Sequence, residues 1–146
     1  GAACRSELDR AGLELLDNRG VWLRRGGDRL RIAGVADMWT EVPDVALALG
    51  DAHEGDASIV VSHNPDYAEH GRDPRVSLML SGHTHGGQVV VPGVGAMVLP
   101  SKFGRKYAGG LAKGPAYPVF VGRGVGTSCP PVRFYCRPEI VLLTLV

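Results

Sequence analysis

The sequence has little of what would assign it to several broad classes of protein. Among its 146 residues there are three cysteines, and aromatic residues make up only 6%. Its 16 Lys and Arg residues are balanced by 15 Asp and Glu residues, so it lacks the basic excess with which proteins displace counterions from nucleic acid. The longest apolar runs, such as Ile140–Leu143, are far shorter than the roughly 18 residues that span a bilayer. The composition therefore predicts neither a nucleic-acid partner nor a transmembrane segment.

The cysteines indicate a reducing environment. Cys4, Cys129 and Cys136 are too few and too scattered for a disulfide scaffold, and they lack the paired spacing of a zinc ribbon. A Cys129–Cys136 bridge is the alternative, but it would leave one thiol free, so we expect all three to be reduced. Gly1–Cys4 runs directly into a charged stretch, which is not a signal-peptide pattern. We therefore expect a protein that is cytoplasmic or faces the cytoplasm.

Size and hydrophobicity favour a folded domain. A hydrophobic fraction of 45% argues against intrinsic disorder. The length predicts one domain, residues 1–146, that buries roughly 70% of its unfolded surface. Glycine is in excess: 21 of the 146 residues are glycine, about twice the average usage of roughly 7%. Glycine permits close backbone approach and tight loops, so the loops of this domain are expected to carry much of its chemistry.

Local patterns predict an α/β chain that is richer in strands than in helices. Apolar residues at helical spacing predict a helix over Arg5–Asn18. Alternating apolar residues on either side of Arg25–Asp28 predict a hairpin, and Pro43 suits the start of a short helix over Asp44–Leu49. Further strands are predicted at Ser58–Ser62, Val76–Leu80, Gln88–Val91, Ala96–Leu99, Pro118–Val121 and Glu139–Leu145. The last of these is expected to pair inside a sheet, and Trp22 and Trp39 are expected in or near the core.

Three histidines come directly after apolar strands, where functional side chains collect. His83 and His85 lie two residues apart after one strand, so in an extended segment their imidazoles project to the same side. His63 follows the preceding strand. Imidazole is a common metal ligand, and the glycines around the His83–His85 pair strengthen the metal-site hypothesis over that of an ordinary hydrogen-bonded pair. His53 and His70 lie in polar loops and are predicted to be surface residues.

Other polar residues allow both a functional and a structural interpretation. Arg123 and Arg133 could bind a phosphate through their guanidinium groups, and ordinary surface or ion-paired arginines are the alternative. The glycines of Gly122–Thr127 are predicted to pack tightly near the site, since this stretch lacks the context of a phosphate-binding loop. The basic stretch Lys102–Lys106 could meet a phospholipid headgroup or a nucleotide, but a solvated loop is favoured. Asp37 could support the site or a turn.

Two motifs carry a family resemblance. Ser62-His63-Asn64-Pro65-Asp66 followed by Ser81-Gly82-His83-Thr84-His85-Gly86-Gly87-Gln88 resembles the second half of the calcineurin-like metallophosphoesterases, and more narrowly their bacterial phosphodiesterase branch. The likeness extends to Ile32–Asp37, Pro100–Arg105, Gly122–Thr127 and Pro131–Phe134. It therefore covers essentially the whole chain.

The resemblance implies an α/β fold, namely a metallophosphoesterase-type β-sandwich flanked by helices. The chain would be the C-terminal half of this four-layer α-β-β-α fold. It further implies a dinuclear metal site in which His63 and His83 bind one ion and His85 binds the other. Nitrogen and oxygen ligands suit Mn, Fe or Zn. The implied activity is hydrolysis of a phosphomonoester or phosphodiester by metal-activated hydroxide, acting on a small molecule or a phospholipid headgroup.

The departures from the family pattern concern its first half. The chain has no Gly-Asn-His and no strand-terminal Asp-x-His, so the bridging carboxylate, an Asn ligand and the His that protonates the leaving group are missing. No catalytic residue is assigned, and three imidazoles could hold one metal ion but not a charge-balanced pair. Either an N-terminal half or a second copy would complete the site, or the chain is an inactive metal-binding or interaction module. Apolar stretches that could lack a partner layer, Ile59–Val61, Leu78–Leu80 and Leu142–Leu145, predict a dimer or a domain-swapped assembly.

Overall fold

A six-stranded mixed sheet organises the chain. The computed structural model describes residues 2–145, with side chains from Arg5 onward. The elements are α1 (Ala2–Arg10), β1 (Arg19–Arg25), β2 (Asp28–Gly34), α2 (Val45–Leu49), β3 (Ala57–Ser62), β4 (Leu78–Ser81), β5 (Val90–Val91), β6 (Gly95–Ala96), β7 (Gly110–Lys113) and β8 (Pro118–Val121). The strand order is β1-β2-β3-β4-β8-β7, and β5 and β6 form a separate two-stranded ribbon. Few helices around a mixed sheet confirm the predicted α/β class.

The parallel centre of the sheet brings three strand ends to one edge. Strands β2, β3, β4 and β8 run parallel, while β1 and β7 pair antiparallel at the two sides. Ser62, Ser81 and Val121 are directly opposite one another at the carboxyl ends of β3, β4 and β8. The Ser81 hydroxyl donates to the Ser62 carbonyl at 2.6 Å, and the Gly122 N–H donates to the Ser81 carbonyl at 2.8 Å. This edge is where ligand sites form in parallel α/β sheets.

One face of the sheet carries the core. Because side chains alternate along a strand, every second residue of the central strands lies on this face. Val60, Met79 and Val119 are fully buried there and pack in one cluster with α2 and three tyrosines. Burying each such side chain contributes about 1.5–3 kcal/mol, so this cluster holds the strand ends in place.

The opposite face is also apolar but more open. Ile32, Ile59 and Leu78 occupy it in one row across three strands, and Leu111 on β7 shares it with 72% of its surface exposed. The expectation that whole stretches of β3 and β4 lack a partner layer was too broad. Val60 and Met79 are buried on the core face, and only the alternate residues belong to the open face. Among the described residues, no helix is long and apolar enough to cross a bilayer.

Several predicted elements are confirmed, and others are wrong in their bounds. The hairpin, the short helix α2 and the strand Pro118–Val121 are present as expected. The first helix ends at Arg10 and not at Asn18, because Gly12 takes a left-handed conformation with φ 71°. The last turn is closed there by the N–H groups of residues 11–13, which donate to the carbonyls of residues 7–9. Strand β7 was not predicted, and β5 and β6 are shorter than expected.

The predicted C-terminal strand is wrong. Residues 139–145 form no ladder within the part of the chain that is described, and Ile140 is 90% exposed. Trp39 was also misplaced, since 70% of its surface is exposed, whereas Trp22 packs against the core as expected. Cys129 and Cys136 are free thiols, as predicted; the Cys4 side chain lies outside the described residues.

Candidate metal centre

The ends of β3 and β4 bring two histidines into contact. His63 Nε2 lies 3.0 Å from His83 Nδ1, and the ring centroids are 4.7 Å apart. Two nitrogen ligands at about 2.1 Å from one ion, subtending a right angle, would be separated by about 3 Å. The contact is therefore compatible with one hydrogen bond between neutral rings or with two ligands of a common ion.

The environment of His83 favours the neutral, metal-binding form of imidazole. Burial lowers the pKa of His83, the neighbouring His63 lowers it further, and the charges of Asp66 and Asp37 oppose the shift. Its Nε2 atom, which is not the atom that contacts His63, is buried, and the Pro100 backbone beside the ring also opposes the lowering of the pKa.

Trp39 forms a wall of the site that sequence reasoning missed. Its ring meets the His83 ring edge-on, with centroids 4.8 Å apart. Asp37 fixes the turn that carries it, because the Asp37 carboxylate accepts from the Trp39 N–H at 2.7 Å and the Asp37 carbonyl accepts from Thr40 and Glu41. Asp37 thus has the turn role, and through that turn it supports the site. The position of Trp39 shortly after β2, beside β3 in the sheet, was the available signal.

Backbone strain concentrates in the loop after β4. His83, His85 and Gln88 have φ values of 68°, 50° and 51°, a left-handed region that costs a non-glycine residue of order 1–3 kcal/mol. Thr84, almost fully buried, anchors the loop: its hydroxyl donates to the Ala108 carbonyl at 3.1 Å, and its carbonyl accepts from Gly87 at 2.7 Å. Strain of this kind, held by surrounding contacts, is typical of functional loops.

The residues after His63 hold the loop in place and tie it to a second one. Asn64 accepts from the Asp66 N–H at 2.9 Å through its side chain, and its carbonyl accepts from the Ser62 hydroxyl at 2.9 Å. The Asp66 carboxylate is buried and accepts from the Ser101 hydroxyl at 2.5 Å and from the Lys102 N–H at 2.8 Å. The Asn-Pro-Asp part of the motif therefore positions the backbone around His63.

His85 contacts the segment after β8 instead of the other two histidines. Its Nδ1 atom lies 3.2 Å from the Gly126 carbonyl oxygen. Among the described residues, no group of three or more His, Cys, Asp or Glu side chains is arranged to hold a metal ion. All three predicted histidines nevertheless line one cavity of about 540 Å³, together with Trp39 and an apolar wall that includes Met97 and Val98.

Both candidate phosphate-binding arginines contact the protein itself. Arg123 makes a two-point contact with Glu139, with Nη2–Oε2 at 2.6 Å and Nε–Oε2 at 3.0 Å. This ion pair lowers the pKa of the Glu139 carboxyl and raises that of Arg123. Arg133 donates to backbone carbonyls, including those of His85 and Gly126. Their assignment to substrate stays a prediction.

The remaining sequence features have structural roles. His53 and His70 are exposed, as predicted, and Asp51 accepts from the Trp22 indole at 2.9 Å, which lowers the Asp51 pKa. Lys106 pairs with Glu69.

The prediction of tight glycine packing in Gly122–Thr127 is wrong. A Cβ atom on Gly124 or Gly126 would meet nothing within 4 Å. The close approach occurs instead at Gly86, where a Cβ would lie 2.6 Å from Cys136 Sγ.

The chain is similar to several curated proteins. It is 36% identical over 145 residues to the phosphodiesterase YaeI of Escherichia coli, which covers 95% of this chain and 50% of YaeI. It is 36% identical over 119 residues to YkuE, an uncharacterized metallophosphoesterase of Bacillus subtilis, covering 82% of this chain and 41% of YkuE. A third relative, the UDP-2,3-diacylglucosamine pyrophosphatase LpxG of Chlamydia trachomatis, is 30% identical over 94% of this chain and 43% of LpxG.

These relatives establish the family. The chain belongs to the calcineurin-like metallophosphoesterases. It spans about half the length of the curated relatives it matches, which is consistent with the C-terminal half of the family fold. No family model and no solved structure matches the chain.

Proposed function

We propose that this chain forms the histidine-rich half of a metal-dependent phosphoesterase site that hydrolyses a phosphodiester or phosphomonoester. The observation that carries the proposal is the 3.0 Å contact between His63 Nε2 and His83 Nδ1 at adjacent strand ends. Relatives named as a phosphodiesterase and a pyrophosphatase support the same reaction class.

The donor set fits a divalent transition metal. In this proposal His63 Nε2 and His83 Nδ1 bind one ion and His85 binds a second, with Mn, Fe or Zn as the candidates for mixed nitrogen and oxygen ligands. Such an ion supplies Lewis-acid stabilisation of a phosphoryl oxygen and lowers the pKa of a bound water. The chain's own residues favour the neutral form of His83 through burial, orient the rings from the ends of β3 and β4, and cover one side of the His83 ring with Trp39.

The proposed substrate is a phosphate ester, either a small molecule or a phospholipid headgroup. The apolar wall of the cavity, formed in part by Met97 and Val98, supports an ester with an apolar group next to the phosphate. Arg123 and Arg133 remain candidates for binding the phosphate. Each would have to exchange a contact that it makes within the chain, with Glu139 or with backbone carbonyls, for the phosphate oxygens.

Residues 1–146 are proposed to act as one domain that needs further ligands from outside it. The pair of imidazoles carries no negative charge to balance a divalent ion. A complementing N-terminal half or a second copy of the chain would supply carboxylates and cover the open apolar face that includes Leu111. We also place the chain in the cytoplasm or facing it, which the free thiols of Cys129 and Cys136 support.

A second candidate function is an inactive metal-binding or interaction module. The absence of a three-group metal cluster among the described residues favours it over an independent enzyme. The two candidates differ in whether the chain turns over substrate once its missing partner is supplied.

Metal binding and turnover test these functions separately. The chain is equilibrated with Mn²⁺, and bound metal is measured for the wild type, for His83→Ala, and for His53→Ala as an exposed-histidine control. We expect His83→Ala to lose most of the bound metal and His53→Ala to keep it; equal metal content in all three contradicts the proposal.

Hydrolysis of a chromogenic phosphodiester is then measured with and without co-expression of the part of YaeI that this chain does not match. Activity only on co-expression supports the enzyme. Bound metal without activity in either case supports the inactive module.

A further inference from the structure

The imidazole of His85 is fixed by a contact that selects its tautomer. Its Nδ1 atom lies 3.2 Å from the Gly126 carbonyl oxygen. A carbonyl oxygen only accepts hydrogen bonds, so Nδ1 must carry a proton, and in the neutral ring Nε2 then carries the free lone pair. Metal-binding histidines commonly donate their other ring N–H to a carbonyl or carboxylate in this way.

The Gly126 carbonyl is itself held by Arg133. Arg133 Nη2 donates to the Gly126 oxygen at 2.7 Å, and Nε donates to the same oxygen at 3.2 Å. The same side chain donates from Nη1 to the His85 carbonyl at 3.0 Å, and from Nη2 to the Arg123 carbonyl at 2.7 Å. One planar guanidinium group thus contacts both the backbone of His85 and the carbonyl that its ring meets.

The segment has little else to fix this carbonyl. Gly124 and Gly126 are exposed, with open space where a side chain would lie, and residues 122–128 belong to no strand. His85 is itself strained, with φ 50°. No strand pairing holds this segment, so it depends on separate contacts. The Ser128 N–H donates to Gln88 Oε1 and the Glu139 N–H to the Gly124 carbonyl at 3.1 Å, while the Gly126 carbonyl itself is held by the donors of Arg133. Lysine cannot replace them, because its single ammonium lacks the rigid fork.

We propose that Arg133 is a positioning residue that holds the Gly126 carbonyl against His85 and so keeps the His85 ring in the Nδ1-protonated tautomer, with Nε2 available to a metal ion. This inference rests on the proposed function for its purpose, but the tautomer itself does not depend on metal or on catalysis. An Arg133 that keeps this contact is not available to phosphate, so the positioning role stands in place of the substrate contact considered above for Arg133.

The first experiment needs no variant. Long-range ¹H–¹⁵N correlation spectra of the metal-free protein report which ring nitrogen of each histidine is protonated. We expect His85 to show the Nδ1-protonated form, whereas the exposed His53 should show the tautomer mixture of a solvated ring. An Nε2-protonated or fully averaged His85 overturns the proposal.

The second experiment replaces the guanidinium group of Arg133. In Arg133→Lys and Arg133→Gln we expect the His85 signals to shift toward the averaged pattern, while the wild-type pattern persists in Arg137→Gln, a control at an exposed arginine of the same segment. A Co²⁺ titration followed by visible absorption should show affinity about 10–100-fold weaker in the two Arg133 variants. Unchanged His85 signals in a folded Arg133 variant overturn the proposal.

The outcomes separate this inference from the proposed function. A wild-type His85 with the expected tautomer in a protein that binds no Co²⁺ keeps the positioning role of Arg133 and contradicts the metal site. If the protein binds metal but the His85 tautomer is the same in the Arg133 variants as in the wild type, the metal site is supported and the positioning role of Arg133 is contradicted. If both Arg133 variants fail to fold, the wild-type tautomer measurement alone decides.

Discussion

The loops after β3 and β4 and the segment after β8 are built in different ways, although they meet at one cavity. The first two leave a buried parallel sheet and are held by backbone hydrogen bonds and by small buried groups such as Thr84 and Asp66. The segment from Gly122 onward lies in no strand beyond Val121; within the described residues its regular pairing is the isolated bridge between Val89 and Phe134, and side chains of Arg123, Arg133 and Gln88 supply many of its other hydrogen bonds. The comparison teaches that one part of the site is held by the sheet, whereas the other is held largely by side-chain contacts.

The largest effect is expected where the sheet itself is damaged. Met79 is fully buried on β4, so Met79→Ala should lower the free energy of unfolding by about 2–5 kcal/mol through lost burial and an unfilled cavity. Urea denaturation followed by circular dichroism measures it. Leu111→Ala, at an exposed position of the same sheet, should change stability by only about 0.5 kcal/mol. Similar losses in both variants would show that the two faces of the sheet do not differ as described.

The next effect probes the point where the two regions touch. Gly86 has φ 65°, and a Cβ there would lie 2.6 Å from Cys136 Sγ and 2.7 Å from Arg123 Cγ. Gly86→Ala should therefore combine backbone strain with a steric clash and cost about 2–4 kcal/mol. Gly124→Ala is a matched control, because Gly124 has the same φ of 65° but open surroundings, and it should cost about 1 kcal/mol. Thermal denaturation of both variants measures the difference, and equal losses would rule out tight packing at Gly86.

A smaller loss is expected at the joint between the His63 loop and residues 100–105. Asp66→Ala removes the acceptor of the Ser101 hydroxyl and the Lys102 N–H, and should cost about 2 kcal/mol, the range for hydrogen bonds to a charged group. Urea denaturation of Asp28→Ala, at an exposed position of the hairpin turn, provides the control and should differ little from the wild type. A loss at Asp66 no greater than at Asp28 would mean that this carboxylate does not join the loops.

The two regions also differ in how far the sequence predicts them. The strand Ser58–Ser62 follows from a local pattern, and the family resemblance implied that His63 lies beside His83; the two are in contact because β3 and β4 are parallel and end at a common edge. The strand predicted at Glu139–Leu145 rests on a run of apolar residues, but such a run shows only that a segment could be buried, and the strand it would pair with is not encoded nearby. The first helix was predicted to be too long because its apolar spacing continues past Gly12, whereas the left-handed conformation of Gly12 ends the helix earlier.

Side-chain partners across long separations account for the rest of what was missed. Nothing local to Arg123 shows that its partner is Glu139, sixteen residues away. Arg133 and the Gly126 carbonyl lie close in sequence, but the role of that contact depends on His85, 48 residues upstream of Arg133. Tryptophan is a residue type expected in or near a core, and only the folded sheet shows that Trp39 lies against His83.

The smallest effect on the free energy of unfolding is expected for the ion pair between Arg123 and Glu139, and it depends on pH. The Arg123 ion pair lowers the pKa of Glu139 below its ordinary value of 4.5, so the folded state binds this proton more weakly than the unfolded chain. The pair's stabilisation is therefore complete above about pH 4.5 and is lost as the pH falls through the folded pKa.

Because both side chains are partly exposed, Glu139→Gln should cost only about 0.5–1 kcal/mol near neutral pH, and less in high salt. Urea denaturation between pH 3 and 7 should show wild type and variant converging at the acid end, while Asp66→Ala remains less stable than the wild type at pH 7 in high salt. A Glu139→Gln difference that is independent of pH and salt would mean that the segment after β8 is held by packing, as the sheet is.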